Sequence, residues 1–244
     1  MQKVKLKVKK LDYESAESYR ALRTNLQFCG EDKKTIVVTS CTPDEGKSTA
    51  VLHLAIALSE YGKRVLLIDA DLRKSVMIGN FAVSKELKGF THYLSGQIEA
   101  EEVICSTDSE NLDVIFAGPF PPNPTELLGS ERFKKILKTK RDEYDYILID
   151  SAPLGNVIDS AVIAGECDGA IIVIEAECIS YRFAQEIKEQ LDKSGCPVLG
   201  AILNKVDTRF QKYYSYYYRK RYGKYYKSYG KRYGKYYEYE KKGK

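Results

Sequence analysis

An apolar hexapeptide, Thr35 to Ser40 (TIVVTS), runs straight into Cys41-Thr-Pro-Asp-Glu-Gly-Lys-Ser-Thr49. From Ser48 to Tyr61 the apolar residues Val51, Leu54, Ala55 and Leu58 then recur at helical spacing, and Gly62 closes the run. Strand, polar loop and helix in that order bring backbone N–H groups and a helix N-terminus to one place, which is what a loop wrapped around phosphates requires. Gly46, Lys47 and Ser48 end the loop as such a pattern demands: Lys47 for the β- and γ-phosphates, Ser48 for a magnesium ion. Cys41 stands where the first glycine of the strict pattern would be. A bare Gly-Lys-Ser is more often a polar turn opening a helix, but the flanking strand and helix favour the phosphate loop.

Further apolar runs follow: Arg64 to Ile68, Leu112 to Ala117, Tyr146 to Ile149, Ala170 to Ile174 and Val198 to Leu203, with helical stretches between several of them. Continuous Val/Ile/Leu runs suit strands buried on both faces, and the βαβ alternation predicts a mostly parallel sheet flanked by helices. The expected class is α/β with a P-loop NTPase-like sheet, whose ligands bind beyond the carboxyl ends of the strands. The 244 residues, 43% apolar and 30% charged, suffice for one such domain and exclude disulfide-scaffold and wholly disordered readings.

Two of these strands end in carboxylates. Leu66-Leu-Ile-Asp69-Ala-Asp71-Leu-Arg73 carries two acids two residues apart, facing one side. One can support magnesium while the other takes a proton from an attacking hydroxyl. Ile147-Leu-Ile-Asp150 has the Walker B form, in which the carboxylate supports the metal. Each motif alone reads equally as an apolar strand leaving the core, yet three in order at strand ends reinforce one another.

Charge divides the chain unevenly. Residues 211–244 hold 12 Lys/Arg against 2 Glu, leaving a slightly acidic remainder. They also carry 13 of the 20 tyrosines, at positions Tyr213, Tyr214, Tyr216, Tyr217, Tyr218, Tyr222, Tyr225, Tyr226, Tyr229, Tyr233, Tyr236, Tyr237 and Tyr239. Lys-Arg-Tyr-Gly-Lys-Tyr-Tyr occurs at 220–226 and again at 231–237, and no aliphatic residue follows Phe210. The expected organisation is an N-terminal segment over 1–34, a P-loop domain over 35–210 and a disordered basic tail over 211–244. No apolar stretch suffices to span a membrane and no signal peptide is visible, so a cytoplasmic protein is expected, its six cysteines reduced and without metal.

The motifs around Lys47, Asp69/Asp71 and Asp150, with the tyrosine-rich C-terminus, resemble the bacterial tyrosine kinases (BY-kinases), particularly the separate cytoplasmic kinase of capsule and exopolysaccharide systems. The resemblance covers essentially the whole chain. Glu17-Ser-Tyr-Arg20-Ala-Leu-Arg23 matches the family's E-x-x-R-x-x-R element, which mediates ring-like self-association in relatives, and Pro121-Pro-Asn-Pro-Thr-Glu-Leu-Leu128 is similar to another family segment. The resemblance implies ATP-dependent phosphorylation of tyrosine, including the tails of neighbouring copies and the regulation of capsule or exopolysaccharide synthesis and export. It implies a nucleotide site formed by Asp44, Glu45, Gly46, Lys47, Ser48, Thr49, Arg73 and Asn204, with Mg2+ held at Ser48, Asp69 and Asp150. Lys47, Asp69, Asp71 and Asp150 would be the catalytic set, with Asp71 accepting the tyrosine proton; an exchange of roles between Asp69 and Asp71 leaves the sequence unchanged. The implied partners are a transmembrane activator that recruits the chain to the inner face of the membrane, a cognate tyrosine phosphatase and further copies of the chain. No specific nucleic acid is expected.

Three departures and three alternatives stand beside that reading. Asp44 occupies a position where relatives often have glycine, adding a carboxylate that lowers nucleotide affinity unless it points outward. Cys41 brings a thiol into the loop, read as buried and inert, and His53 replaces a usual asparagine. MinD/ParA-type ATPases share the loop and sheet but carry a signature lysine where this chain has Thr42. Asn204-Lys-Val-Asp207 spells a guanine-reading sequence, although the resemblance sets it near an adenine. Tyrosines interleaved with cations would also suit nucleic-acid or anionic-surface binding.

Overall fold

The structure, a computed structural model, describes residues 2–8, 10–83 and 87–206. The tyrosine cluster and Asp207 lie outside the described residues. The body, up to Asn204, is one compact unit.

In chain order its elements are β1 (Gln2–Lys3), β2 (Lys5–Leu6), α1 (Tyr13–Phe28), β3 (Thr35–Ser40), α2 (Lys47–Ser59), β4 (Val65–Asp69), β5 (Phe81–Ala82), α3 (Phe90–Leu94), α4 (Ala100–Val103), β6 (Cys105–Ser106), β7 (Leu112–Ile115), α5 (Pro124–Leu128), α6 (Glu131–Lys140), β8 (Tyr146–Asp150), α7 (Asp159–Ala164), β9 (Gly169–Glu175), α8 (Tyr181–Lys193) and β10 (Val198–Asn204). Eight strands form a sheet in the order β1-β6-β7-β4-β8-β3-β9-β10. Every pairing from β7 to β10 is parallel, and β6, one strand in from the β1 edge, meets β7 antiparallel. Strands β2 and β5 form a separate antiparallel pair.

The continuous apolar runs are explained by burial on both faces. Val37, Leu66, Ile68, Ile147 and Ile149 point into one core, shared with α3, α6, α7 and α8. Their neighbours Ile36, Val38, Val65, Leu67 and Leu148 point into the other, beneath α2. Helix α2 buries ten of its thirteen residues and so has almost no polar face. Its outer side is covered by α1, where the Tyr19 and His53 rings lie 5.1 Å apart between centroids. Among the described residues no helix is long and apolar enough to cross a membrane.

Sheet order puts the chemistry in place. The central strand β3 lies between β8 and β9, with Val38 in register with Asp150. On the next strand over, Asp69 is in register with Asp150. Three expected motifs therefore meet at one end of adjacent parallel strands, where α/β sheets bind ligands.

Candidate active site

The loop between β3 and α2 is shaped by two left-handed residues, Asp44 (φ 65°) and Gly46 (φ 83°). Glycine adopts this backbone without penalty, and Asp is among the few other residues found there, so the loop accommodates Asp at position 44. Two side chains brace the turn from behind. Glu45 folds inward, Oε2 accepting from the Cys41 and Thr42 amides at 2.7 and 3.2 Å. Asn204, at the end of β10, donates Nδ2 to the Glu45 carbonyl at 2.8 Å. A Cβ on Gly46 would come within 2.2 Å of that Nδ2, so the glycine is required by crowding as well as by φ.

A cavity of about 410 Å3 opens in front of this loop. Asp44, Gly46, Lys47, Ser48 and Thr49 line it from the loop side, and Asp71 and Arg73 from the β4 side. Glu45 and Asn204 are not in its wall; they hold the loop's shape. Cys41 is fully buried, and burial pushes its thiol up to about 11, so it is an inert core residue.

Beneath the cavity lies a sealed acidic pair with one cation. Lys47 Nζ is 2.5 Å from Asp150 Oδ1 and 3.3 Å from Ser48 Oγ. Asp69 Oδ2 accepts from the Ser75 hydroxyl at 2.5 Å, while its Oδ1 is buried with no hydrogen-bond partner. Burial, reinforced by the Asp150 charge, pushes Asp69 up to about 7. Burial raises Asp150 as well, against the pull of the Lys47 ammonium. Asp71, two residues beyond Asp69, lines the cavity itself, and its Oδ1 accepts from the amides of Arg73 and Lys74 at 3.3 and 3.0 Å. The two acids of the Asp69/Asp71 pair thus have different settings, which the sequence left interchangeable.

Arg73 is held by residues that no local pattern marks. Nε and Nη2 meet the two oxygens of Asp159 at 2.6 and 3.0 Å, and Nη2 also reaches Thr125 Oγ1 at 3.0 Å. Burial of Asp159 opposes its charge, but the bonds from Arg73 and Thr125 outweigh it and hold its carboxyl below the ordinary value. Asp159 and Ser75 gave no sequence signal beyond their residue type. Thr125 sits in the proline-punctuated segment at 121–128, the one hint available.

Of the E-x-x-R-x-x-R element on α1, Glu17 and Arg20 pair with each other on the exposed side. Arg23 differs: it stacks 4.3 Å over the Tyr61 ring and donates to the Ala57 carbonyl of α2 at 3.4 Å. Its spacing predicts the same face as Glu17 and Arg20, yet its length lets it bend back onto the neighbouring helix.

A P-loop between a central parallel strand and a nearly wholly buried helix, with acids at the ends of the two next strands, defines a P-loop phosphotransferase or NTPase. The family model described as an AAA domain matches residues 33–194. Over 200 residues the chain is 43% identical to the tyrosine-protein kinase CpsD of Streptococcus agalactiae, covering 82% of this chain and 87% of that one. The kinase domain of Escherichia coli tyrosine kinase ETK superposes with a TM-score of 0.75 at 34% identity, covering 78% of this chain and 75% of that one. Pyrococcus horikoshii MinD, complexed with Mg-ADP, matches less well, with a TM-score of 0.60 at 26% identity over 70% of this chain and 69% of that one. The chain belongs to the bacterial tyrosine-protein kinases of the CpsD type, and it is a tyrosine kinase with a P-loop fold.

Proposed function

We infer that the chain transfers the γ-phosphoryl group of Mg·ATP to tyrosines of its own C-terminal cluster on a neighbouring copy, and that this regulates capsule or exopolysaccharide synthesis and export. The observation that carries the reading is the setting of Asp71. It lines the same cavity as Lys47 and Ser48, whereas Asp69 lies sealed beneath it with a carboxyl raised to about 7. An incoming phenol, neutral at a pKa near ~10, meets Asp71 first. Both amide bonds to Asp71 land on Oδ1, which leaves Oδ2 to take the proton. The bond from phosphorus to the tyrosine oxygen forms as the bond to the β-phosphate oxygen breaks, and ADP leaves. Lys47 neutralises the β- and γ-oxygens, and loop amides over the N-terminus of α2 cradle them.

Magnesium fits the donors present. Asp69 Oδ1 is a buried oxygen with no hydrogen-bond partner, and Ser48 and Asp150 add hard oxygen donors beside it. Among the described residues no cluster of three or more acid, His or Cys groups forms a ready protein cage. Magnesium, which keeps water and phosphate ligands and takes only one or two carboxylates, suits so sparse a set. Ser48, Asp69 and Asp150 would hold it, and it would supply neutralising charge to the phosphate oxygens.

The tail's composition suggests how the product acts. Each phosphotyrosine adds roughly −1.5 to −2 at neutral pH, so about five to seven would cancel the excess cationic charge of residues 211–244. An unmodified basic tail is attracted to the acidic body of another copy, and a phosphorylated one is released, so assembly into a ring and dispersal follow the phosphorylation state. Glu17 and Arg20 supply the ring contact, a transmembrane activator recruits the kinase to the inner face of the membrane, and a cognate tyrosine phosphatase resets it.

The test is to incubate the full chain with Mg·ATP, alone and with candidate activators, and map phosphate by mass spectrometry. Lys47→Met and a chain ending at Phe210 serve as controls. Phosphotyrosine confined to the tail and abolished by Lys47→Met is expected. Steady ATP hydrolysis without any phosphotyrosine would overturn the reading.

A further inference from the structure

Arg73 lines the cavity, and its guanidinium is held in a clamp far more elaborate than a surface ion pair needs. Asp159 takes Nε and Nη2 on its two oxygens, a two-point fork that fixes both distance and plane. Thr125 closes the triangle, accepting from Nη2 at 3.0 Å and donating to Asp159 Oδ1 at 2.6 Å. The Asp159 side chain is only 1% exposed. Its neighbour Ser160 is tied by hydroxyls at the ends of two strands, Thr39 Oγ1 at 3.0 Å and Ser151 Oγ at 2.9 Å. The clamp is therefore anchored to the same strands that carry the phosphate loop and Asp150. Fork and hydroxyl occupy Nε and Nη2, and Nη1 makes no hydrogen bond among the described residues.

We propose that Asp159 and Thr125 are positioning residues that aim Arg73 Nη1 at the transferring phosphoryl group, making Arg73 a cation of phosphoryl transfer supplied from within the same chain. The proposal rests on the kinase reading above. In the transfer, negative charge spreads over the γ-phosphoryl oxygens as the bond to ADP breaks and the bond to the acceptor forms. A cation fixed in advance stabilises that charge without reorganisation, which is where such groups gain most of their effect. Arginine suits the task because two of its nitrogens can be spent on the fork while a third still points elsewhere; a lysine has no such plane. The competing account makes the clamp a structural rivet between the β4 loop and α7, whose loss would cost stability and leave turnover alone.

The two accounts separate in steady-state kinetics of the full chain, read as both phosphotyrosine formation and ATP hydrolysis, with thermal unfolding alongside. Arg73→Lys is expected to lower kcat about a hundredfold, and Thr125→Val about tenfold, with KM for ATP within about twofold of the parent. Thr125→Ser, which keeps the hydroxyl, is expected to stay near the parent. Thr125→Val added to Arg73→Lys should cost no further activity, since the hydroxyl acts through the guanidinium. Additive losses, an increase in KM with kcat unchanged, or a lowered Tm at full kcat would each overturn the proposal. A parent chain that hydrolyses ATP but never phosphorylates tyrosine would count against the kinase reading alone, because the same variants still report on Arg73 through hydrolysis.

Discussion

Lys47 Nζ lies 2.5 Å from Asp150 Oδ1, with both side chains almost wholly sealed from solvent, and Asp69 is Asp150's register partner on the adjacent strand. One ammonium thus serves two buried carboxylates. Asp69 is raised to about 7 by burial and by the Asp150 charge. A carboxyl whose folded pKa lies above its unfolded value stabilises the fold while protonated. That contribution is complete below about pH 4 and disappears as pH rises through about 7. Nucleotide-free protein in a chelating buffer should therefore lose stability between about pH 4 and 7, by on the order of a few kcal/mol at most. Asp69→Asn should flatten the slope in denaturant titrations, and an unchanged slope would locate the titrating group elsewhere.

Asp44 combines a left-handed backbone with a carboxylate in the cavity wall. Asp44→Gly removes about 1 kcal/mol of backbone cost and a negative charge beside the phosphates. Calorimetric titration should show ATP and ADP binding several-fold tighter. Weaker binding would mean that the Asp44 side chain contributes to holding the loop.

The E-x-x-R-x-x-R element should divide in two. Glu17→Ala and Arg20→Ala alter an exposed pair worth little to the fold, so they should change self-association in sedimentation experiments while Tm stays within a degree or so. Arg23→Ala removes the stacking on Tyr61 and the bond to Ala57, and should cost about 1–2 kcal/mol of stability at any protein concentration. Equal effects of all three on Tm would contradict this division.

Thiol reactivity should follow burial. With Cys41 buried and raised to about 11, and Cys178 exposed, a limiting dose of iodoacetamide at pH 8 should label Cys178 well before Cys41. Peptide mapping after quenching measures the order. Rapid labelling of Cys41 in the folded chain would reveal a loop that opens on its own.

Strand ends and the phosphate loop were legible in sequence because each is local. TIVVTS forms its strand over the residues expected, and the Tyr146 strand extends one residue further to include Asp150 itself. The bracing of the loop by Glu45 and Asn204 was not legible, because it depends on bonds that only the folded chain brings together. Arg73 and Asp159 lie 86 positions apart, so only the crossover from β4 to α7 brings them together. The two-residue strands β1 and β6 are too short for any periodicity and exist through their partners alone. Arg23 shows the reverse: its spacing was read correctly, but a long side chain can leave the face its Cα is on.

The bond from Asn204 to Glu45 closes across 159 positions. During synthesis the phosphate loop emerges early and the strand that braces it emerges last of the body. A copy still growing on the ribosome therefore carries the lysine and the carboxylates without the finished loop, and nucleotide finds a shaped receptor only once nearly the entire body is made. The finished phosphate loop thus arrives late and together with the completed sheet.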